Sequence, residues 1–266
     1  MVEARPWTGH LTVGSGWALF VGEPGENELH EHQAIQLCVS GGAPIRVRPV
    51  SGEAVSGLAV AVATRASHAV EAVEGPLAFL YVEPEGGEGR RLARALERAA
   101  LSPAAGRGVA SLCLAIGSTN PEAMELEDAA VLRDRILALW LSPEGEGAAG
   151  SAEAIDSRVE KARRIIRCRL TEGRISAEAV AREVRLSPSR LAALFRKETG
   201  VPLRAFVLWA RLQKAVESVA SGQSLTEAAL EAGFSDAAHL ARTFRRMFGT
   251  TLSQGVGQLR IEVVRS

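Results

Sequence analysis

A stretch near the C-terminus is written twice, 48 to 49 residues apart, and it restricts the fold more than any other feature. The first copy reads Ala181-Arg-Glu-Val-Arg-Leu-Ser187, followed by Leu191, Phe195, Gly200 and Leu203. The second reads Ala229-Leu-Glu-Ala-Gly-Phe-Ser235, followed by Leu240, Phe244, Gly249 and Leu252. Each copy has the punctuation of a helix-turn-helix: a short helix, a tight turn, and a second helix stopped by glycine. Two units in series, joined by a segment that reads as one helix, point to a protein that grips two neighbouring stretches of DNA groove.

The formal net charge is zero, yet the charge is unevenly placed. Residues 155–266 carry 20 Lys and Arg against 11 Asp and Glu, a surplus of nine positive charges, and the remainder carries the opposite surplus. Such a split suggests that one half meets a polyanion. No run of about 18 apolar residues is present, so no membrane span is expected. The N-terminus, with Glu3 and Arg5, lacks a hydrophobic signal core. Cys38, Cys113 and Cys168 are odd in number and far apart, which suggests a reducing, cytoplasmic setting with buried, inert thiols.

Four segments are expected. Residues 1–88 read as a β-rich domain of short strands broken by Gly and Pro, a small barrel or sandwich. Residues 89–142 read as a helical connector and dimerisation segment: 91–99 and 121–141 carry helical spacing, with Leu126, Leu132, Ile136 and Trp140 on one side. Residues 143–154 read as a linker that takes in most of the Gly-rich stretch 142–150. Residues 155–266 form an all-helical domain, so the class is α+β in two domains. In it, Asp156 caps a first helix, helices near 177–184 and 188–199 make the first unit, and helices near 225–232 and 236–248 make the second. The connecting segment 203–221 would span about 28 Å, close to one turn of B-DNA, roughly 34 Å.

In the first recognition helix, Leu191, Leu194 and Phe195 are expected inward, leaving Ser189, Ala193, Arg196 and Lys197 outward. In the second, Leu240, Phe244 and Met247 point in; Ala238, Arg242, Arg245 and Arg246 point out. Arginine suits this task, because its planar fork matches the major-groove edge of guanine and also pairs with phosphate. Arg242, mid-helix, is the candidate for base contact. Arg196, Lys197, Arg245 and Arg246 are candidates for phosphate.

Residues 175–254 resemble the DNA-binding domain of the AraC/XylS family of bacterial transcription regulators. The matching residues include Ala181, Ser187, Leu191, Phe195-Arg-Lys-Glu-Thr-Gly200, Arg211-Leu-Gln-Lys-Ala215, Gly233-Phe-Ser-Asp236, His239-Leu240, Arg242, Phe244-Arg-Arg246 and Phe248-Gly249. The resemblance implies sequence-specific binding to promoter DNA, usually as a homodimer, often activating transcription through RNA polymerase. It adds His239 and Arg190 to the candidate DNA contacts, the latter because Ala193 stands where family members often carry Arg. The usual Gly of the first turn is absent at Val184-Arg185, and the Pro and Tyr-Arg that usually follow the second unit are missing.

In the N-terminal half, 29–38 reads as a strand whose alternation puts His30, His32, Ala34, Gln36 and Cys38 on one face. A polar row turned into a small barrel would line an effector pocket. This half resembles a cupin domain: His30-x-His32-x-x-x-Gln36 is similar to the cupin motif HxHxxxE, with Gln for Glu, and His68 stands near the second motif. The candidate effector pocket is therefore His30, His32, Gln36, Cys38 and His68. His30, His32 and His68 could also hold a divalent metal, although no cofactor is the first expectation. His10 reads as an isolated surface residue and Trp17 as core. The main expectation is a one-component regulator without catalysis, responding to a small-molecule effector. Two alternatives remain: a metal-dependent cupin enzyme bearing a DNA-binding tail, and a regulator sensing through Cys38.

Overall fold

A computed structural model describes residues 6–71, 74–97, 99–104, 106–141, 155–170 and 175–264. The linker expected at 143–154 lies outside the described residues. The strands are β1 (Thr8–Gly14), β2 (Trp17–Glu23), β3 (Ile35–Ser40), β4 (Ile45–Pro49), β5 (Val55–Gly57), β6 (Ala59–Val62), β7 (His68–Glu71), β8 (Leu77–Val82), β9 (Leu101–Ala104) and β10 (Leu259–Val263). The helices are α1 (Gly87–Ala95), α2 (Arg107–Ser118), α3 (Leu126–Leu141), α4 (Ser157–Cys168), α5 (Ala177–Glu183), α6 (Pro188–Thr199), α7 (Leu203–Ala220), α8 (Leu225–Glu231), α9 (Ala237–Phe248) and α10 (Leu252–Val256).

The chain divides into two compact units, Met1–Gly150 with Phe244–Ser266, and Ser151–Thr243. The sequence assigns everything after 155 to the helical half, but the tail joins the first unit. The cause is β10, which pairs in parallel with β1 from Gly9↔Leu259 to Val13↔Val263.

The first unit is built on a seven-stranded sheet ordered β10-β1-β2-β8-β3-β6-β9 and a three-stranded sheet ordered β5-β4-β7. Gly16, at φ 81°, closes the two-residue turn between β1 and β2. One face of the large sheet presents Leu19, Val21, Ile35, Leu37, Val39, Leu80 and Val82 to Leu92, Leu112, Ile116, Leu132 and Ile136 of α1, α2 and α3. The stripe on 126–141 packs on the sheet through Leu132, Ile136 and Trp140, the plainer of its two uses, while Leu126 is exposed. The other face carries a ring cluster: Trp7, Phe20, Phe79 and Tyr81, with neighbouring centroids 5.1 to 6.5 Å apart. With both faces covered, β3, β6 and β8 are buried at every residue. The inside–outside alternation expected of half-buried strands is lost for that reason.

Three expectations need correction. The strand expected from residue 29 begins only at Ile35; before it, His30 makes a single bridge to His68. His10 is fully buried between β2 and β10, not on the surface. Cys38 and Cys113 are buried, but Cys168 is exposed. Trp17 is partly buried against the core, under the Arg133 guanidinium at 5.3 Å.

The second unit follows the expected helices closely. Ser176 and Ser224 cap α5 and α8 at matching places in the duplication, and Ser224 forms a reciprocal capping box with Glu227. Ser187 caps α6. Its core joins Val159, Ala162 and Ile166 of α4 to Val180, Leu191, Phe195 and Phe206.

Candidate functional site

The recognition helices keep the faces that their spacing sets. Along α6, Leu191 and Phe195 are buried while Ser189, Arg190, Ala193, Arg196 and Lys197 are exposed. Along α9, Leu240, Phe244 and Met247 are buried while Ala238, Arg242, Arg245 and Arg246 are exposed. Asp236 opens α9 by accepting the His239 amide at 2.6 Å, and this bond with the Ser235 hydroxyl holds its carboxyl below the usual range. His239 is half-buried, its Nδ1 3.2 Å from the Ser235 hydroxyl and its ring edge-on to Phe234, so it is more constrained than the arginines. The matching glycines Gly200 and Gly249 end α6 and α9 at φ 73° and 66°.

The first unit takes in the end of α9, a placement that sequence reasoning missed. Arg245 pairs with Glu28 at 2.7 Å, and the Glu28 amide donates to the Gly249 carbonyl at 2.7 Å. Phe248 lies with its centroid 5.6 Å from Tyr81 and 6.1 Å from His32. No local pattern in the chain signals these partners, which stand far earlier in the sequence than α9.

The candidate pocket residues do converge. His30 and His68 exchange backbone hydrogen bonds of 2.9 Å in both directions, which sets their rings 4.3 Å apart. His32 stands 5.7 Å from His30 and 5.2 Å from His68. Gln36 Oε1 is 2.9 Å from His32 Nε2 and 3.0 Å from His68 Nε2, and its amide nitrogen reaches Cys38 Sγ at 3.3 Å. Each Nδ1 faces a backbone carbonyl: His30 to Glu28 at 2.8 Å, His32 to Ala34 at 2.9 Å, His68 to Ala66 at 2.8 Å. A carbonyl can only accept, so each Nδ1 carries the proton and each Nε2 presents a lone pair. Burial, with the neighbouring imidazoles, holds His30 at about 4 and His68 at about 2, and burial alone lowers His32, so all three are neutral near pH 7. Burial pushes the Cys38 thiol up, which makes it a poor nucleophile and sensor. The polar row packs on itself beneath Tyr81 and Phe248.

Residues 180–255 match the family model described as a helix-turn-helix domain. Over 103 residues the chain is 33% identical to the bifunctional transcriptional activator and DNA repair enzyme Ada of Escherichia coli K12; the match takes in 39% of this chain. The chain carries a helix-turn-helix domain. It spans 29% of the length of Ada. The fold resembles that of ToxT from Vibrio cholerae: an apo form gives TM-score 0.59 and 9% identity, covering 91% of this chain and 97% of that one. A ToxT structure bound to an unsaturated fatty acid gives TM-score 0.57 and 11% identity over 97% and 99% of the two chains. A sheet-rich N-terminal part ahead of a helical C-terminal part is therefore a fold shared with ToxT. None of the described helices is long and apolar enough to cross a membrane.

Proposed function

We propose that the protein is a one-component transcription regulator, cytoplasmic and without catalytic activity, that binds promoter DNA through its two helix-turn-helix units. The observation that carries this is the duplicated pair of capped recognition helices, each with its arginines on the exposed face opposite a buried apolar stripe. Arg242 reads a base edge; Arg190, Arg196, Lys197, Arg245 and Arg246 hold phosphates, with Ser189 and His239 beside them. An effector bound by the N-terminal part would shift the protein between arrangements of different DNA affinity, which requires that it bind those arrangements unequally. The fatty-acid-bound state of ToxT supports a small-molecule effector for this chain as well. The protein acts as a homodimer that engages RNA polymerase. Leu114 and Val131, 76% and 61% exposed on the helical layer of the first unit, are the apolar side chains offered for self-association.

Genome-wide mapping of bound DNA in the native host tests this reading. Enrichment at a small set of promoters supports it, and uniform background over the genome rejects it.

A further inference from the structure

We propose that the groove between α4, α5, α6 and α7 is a binding site for a small organic carboxylate with an apolar body, and that a ligand held there competes with DNA for Arg196.

The groove has a volume of about 770 Å³, within the range of roughly 300–1,000 Å³ usual for small-molecule sites. All of its lining residues belong to the second unit. Its floor is apolar: Ile166 of α4 and Val180 of α5 are buried, and Val207 of α7 is half-buried. Ala177 and Ala193 put only a methyl group each into the walls, which keeps the space open. Polar side chains line it only as arginine: Arg196 on the exposed face of α6, Arg204 in the first turn of α7, and Arg211 further along. None of the described lining residues is acidic. Nearby basic side chains are engaged with carboxylates, Arg163 with Glu160, Arg169 with Glu183 and Lys214 with Glu231. Arg196 and Arg204, both exposed, form no ion pair with a described carboxylate.

A floor of aliphatic carbon beneath two such guanidinium groups selects a ligand with both characters. The planar fork of arginine takes a carboxylate through paired hydrogen bonds and also packs flat on an apolar ring. The body of the ligand leaves water against Ile166, Val180 and Val207. A neutral apolar molecule would give the arginines no partner, and inorganic phosphate would leave the floor uncovered.

The consequence for DNA comes from Arg196, which lines the groove and also stands on the exposed face of α6 with Ser189 and Lys197. A guanidinium turned into the groove by a carboxylate is withdrawn from a phosphate. Ala193 lies on that same face, so the body of the ligand also crowds the approach of a duplex. The competition rests on the DNA reading proposed above for α6; the ligand site does not.

Isothermal titration calorimetry of the full-length chain with biphenyl-4-carboxylate tests the site, with biphenyl-4-carboxamide as the uncharged control. Saturable binding of the acid is expected, with the amide weaker by about tenfold or more, the scale of one charge-assisted hydrogen bond. Arg204→Gln should weaken the acid by a similar factor, and Ala177→Trp, which fills the space, should abolish its binding in the groove. Circular dichroism confirms that each variant is folded; Arg204 is exposed, so Arg204→Gln carries the test if Ala177→Trp does not fold. No binding at millimolar acid overturns the site, as does an amide that binds equally well or an affinity unchanged in folded Arg204→Gln. Fluorescence anisotropy on a promoter duplex then tests the competition: ligand at about ten times its Kd should lower the apparent DNA affinity by about tenfold. Unchanged DNA affinity overturns the competition alone. A chain that binds the acid but no duplex contradicts the DNA reading, and the competition with it, while the site stands.

Discussion

Arg185 and Gly233 hold the same left-handed backbone position, φ 57° and 78°, in the turns of the two helix-turn-helix units. Each turn is also closed by the same hydrogen bond, Leu186 N–H to the Ala181 carbonyl and Phe234 N–H to the Ala229 carbonyl, both 2.9 Å. A side chain in that conformation costs roughly 1–2 kcal/mol. Arg185→Gly should therefore raise the stability of the chain by about 0.5–1 kcal/mol, after the added freedom of the unfolded glycine is subtracted. Gly233→Ala should lower it by more, because its new Cβ would also stand 2.9 Å from the Leu170 carbonyl. Urea unfolding of both variants checks the pair; loss of stability in Arg185→Gly would contradict the assignment.

The capping box at Ser224 supplies a second test. Its hydroxyl accepts the Glu227 amide at 3.3 Å, and the Glu227 carboxylate accepts the Ser224 amide at 2.9 Å. Ser224→Ala should cost about 1 kcal/mol, within the range for lost N-caps. A thermal unfolding midpoint unchanged from the parent would refute the role of this cap in holding α8.

The turns and the Asp156 cap were legible in the sequence because they are local; the caps at Ser176, Ser187 and Ser224, though equally local, went unread. The faces of α6 and α9 followed from spacing for the same reason. What else escaped was non-local. α2, Arg107–Ser118, is the exception, missed because it has too few polar residues to show a stripe. β10 and the burial of His10 depend on a pairing across some 250 residues of chain. The histidine cluster stands between these cases. Its members could be named from their spacing, but the strand that was to align them starts only at Ile35, and the ring contacts of Phe248 and Tyr81 carried no signal.

His10 makes a pH prediction. Burial lowers its pKa below 6.5, outweighing Glu262, whose carboxylate at 3.6 Å raises it, while Arg260 adds to the lowering; the Pro121 carbonyl and Glu125 also raise it. The folded chain therefore resists protonation at this site more than the unfolded chain does. The associated stability is present above pH about 6.5 and falls away as the pH drops toward the folded value. Thermal midpoints between pH 7.5 and 5.5 should fall more steeply for the parent than for His10→Gln. Parallel curves would exclude a contribution from His10.

Arg242 is exposed on the middle of α9, with Asp236 one and a half turns before it. Arg242→Ala should weaken binding to a mapped promoter site by about 1–3 kcal/mol and relax selectivity at one base position. Arg196→Ala should weaken specific and random duplex alike, as loss of a phosphate contact does. Competition binding on a panel of single-base variants separates the two behaviours. Unchanged base preference in Arg242→Ala would remove it from the reading set.

The most direct test of the central claim is fluorescence anisotropy of the purified full-length chain on a duplex from a mapped promoter and on a scrambled duplex, across a salt series. The account expects tighter binding to the promoter duplex, with log affinity falling linearly with log salt by a slope that reports several phosphate contacts. Equal affinity for both duplexes, or binding indifferent to salt, would contradict it.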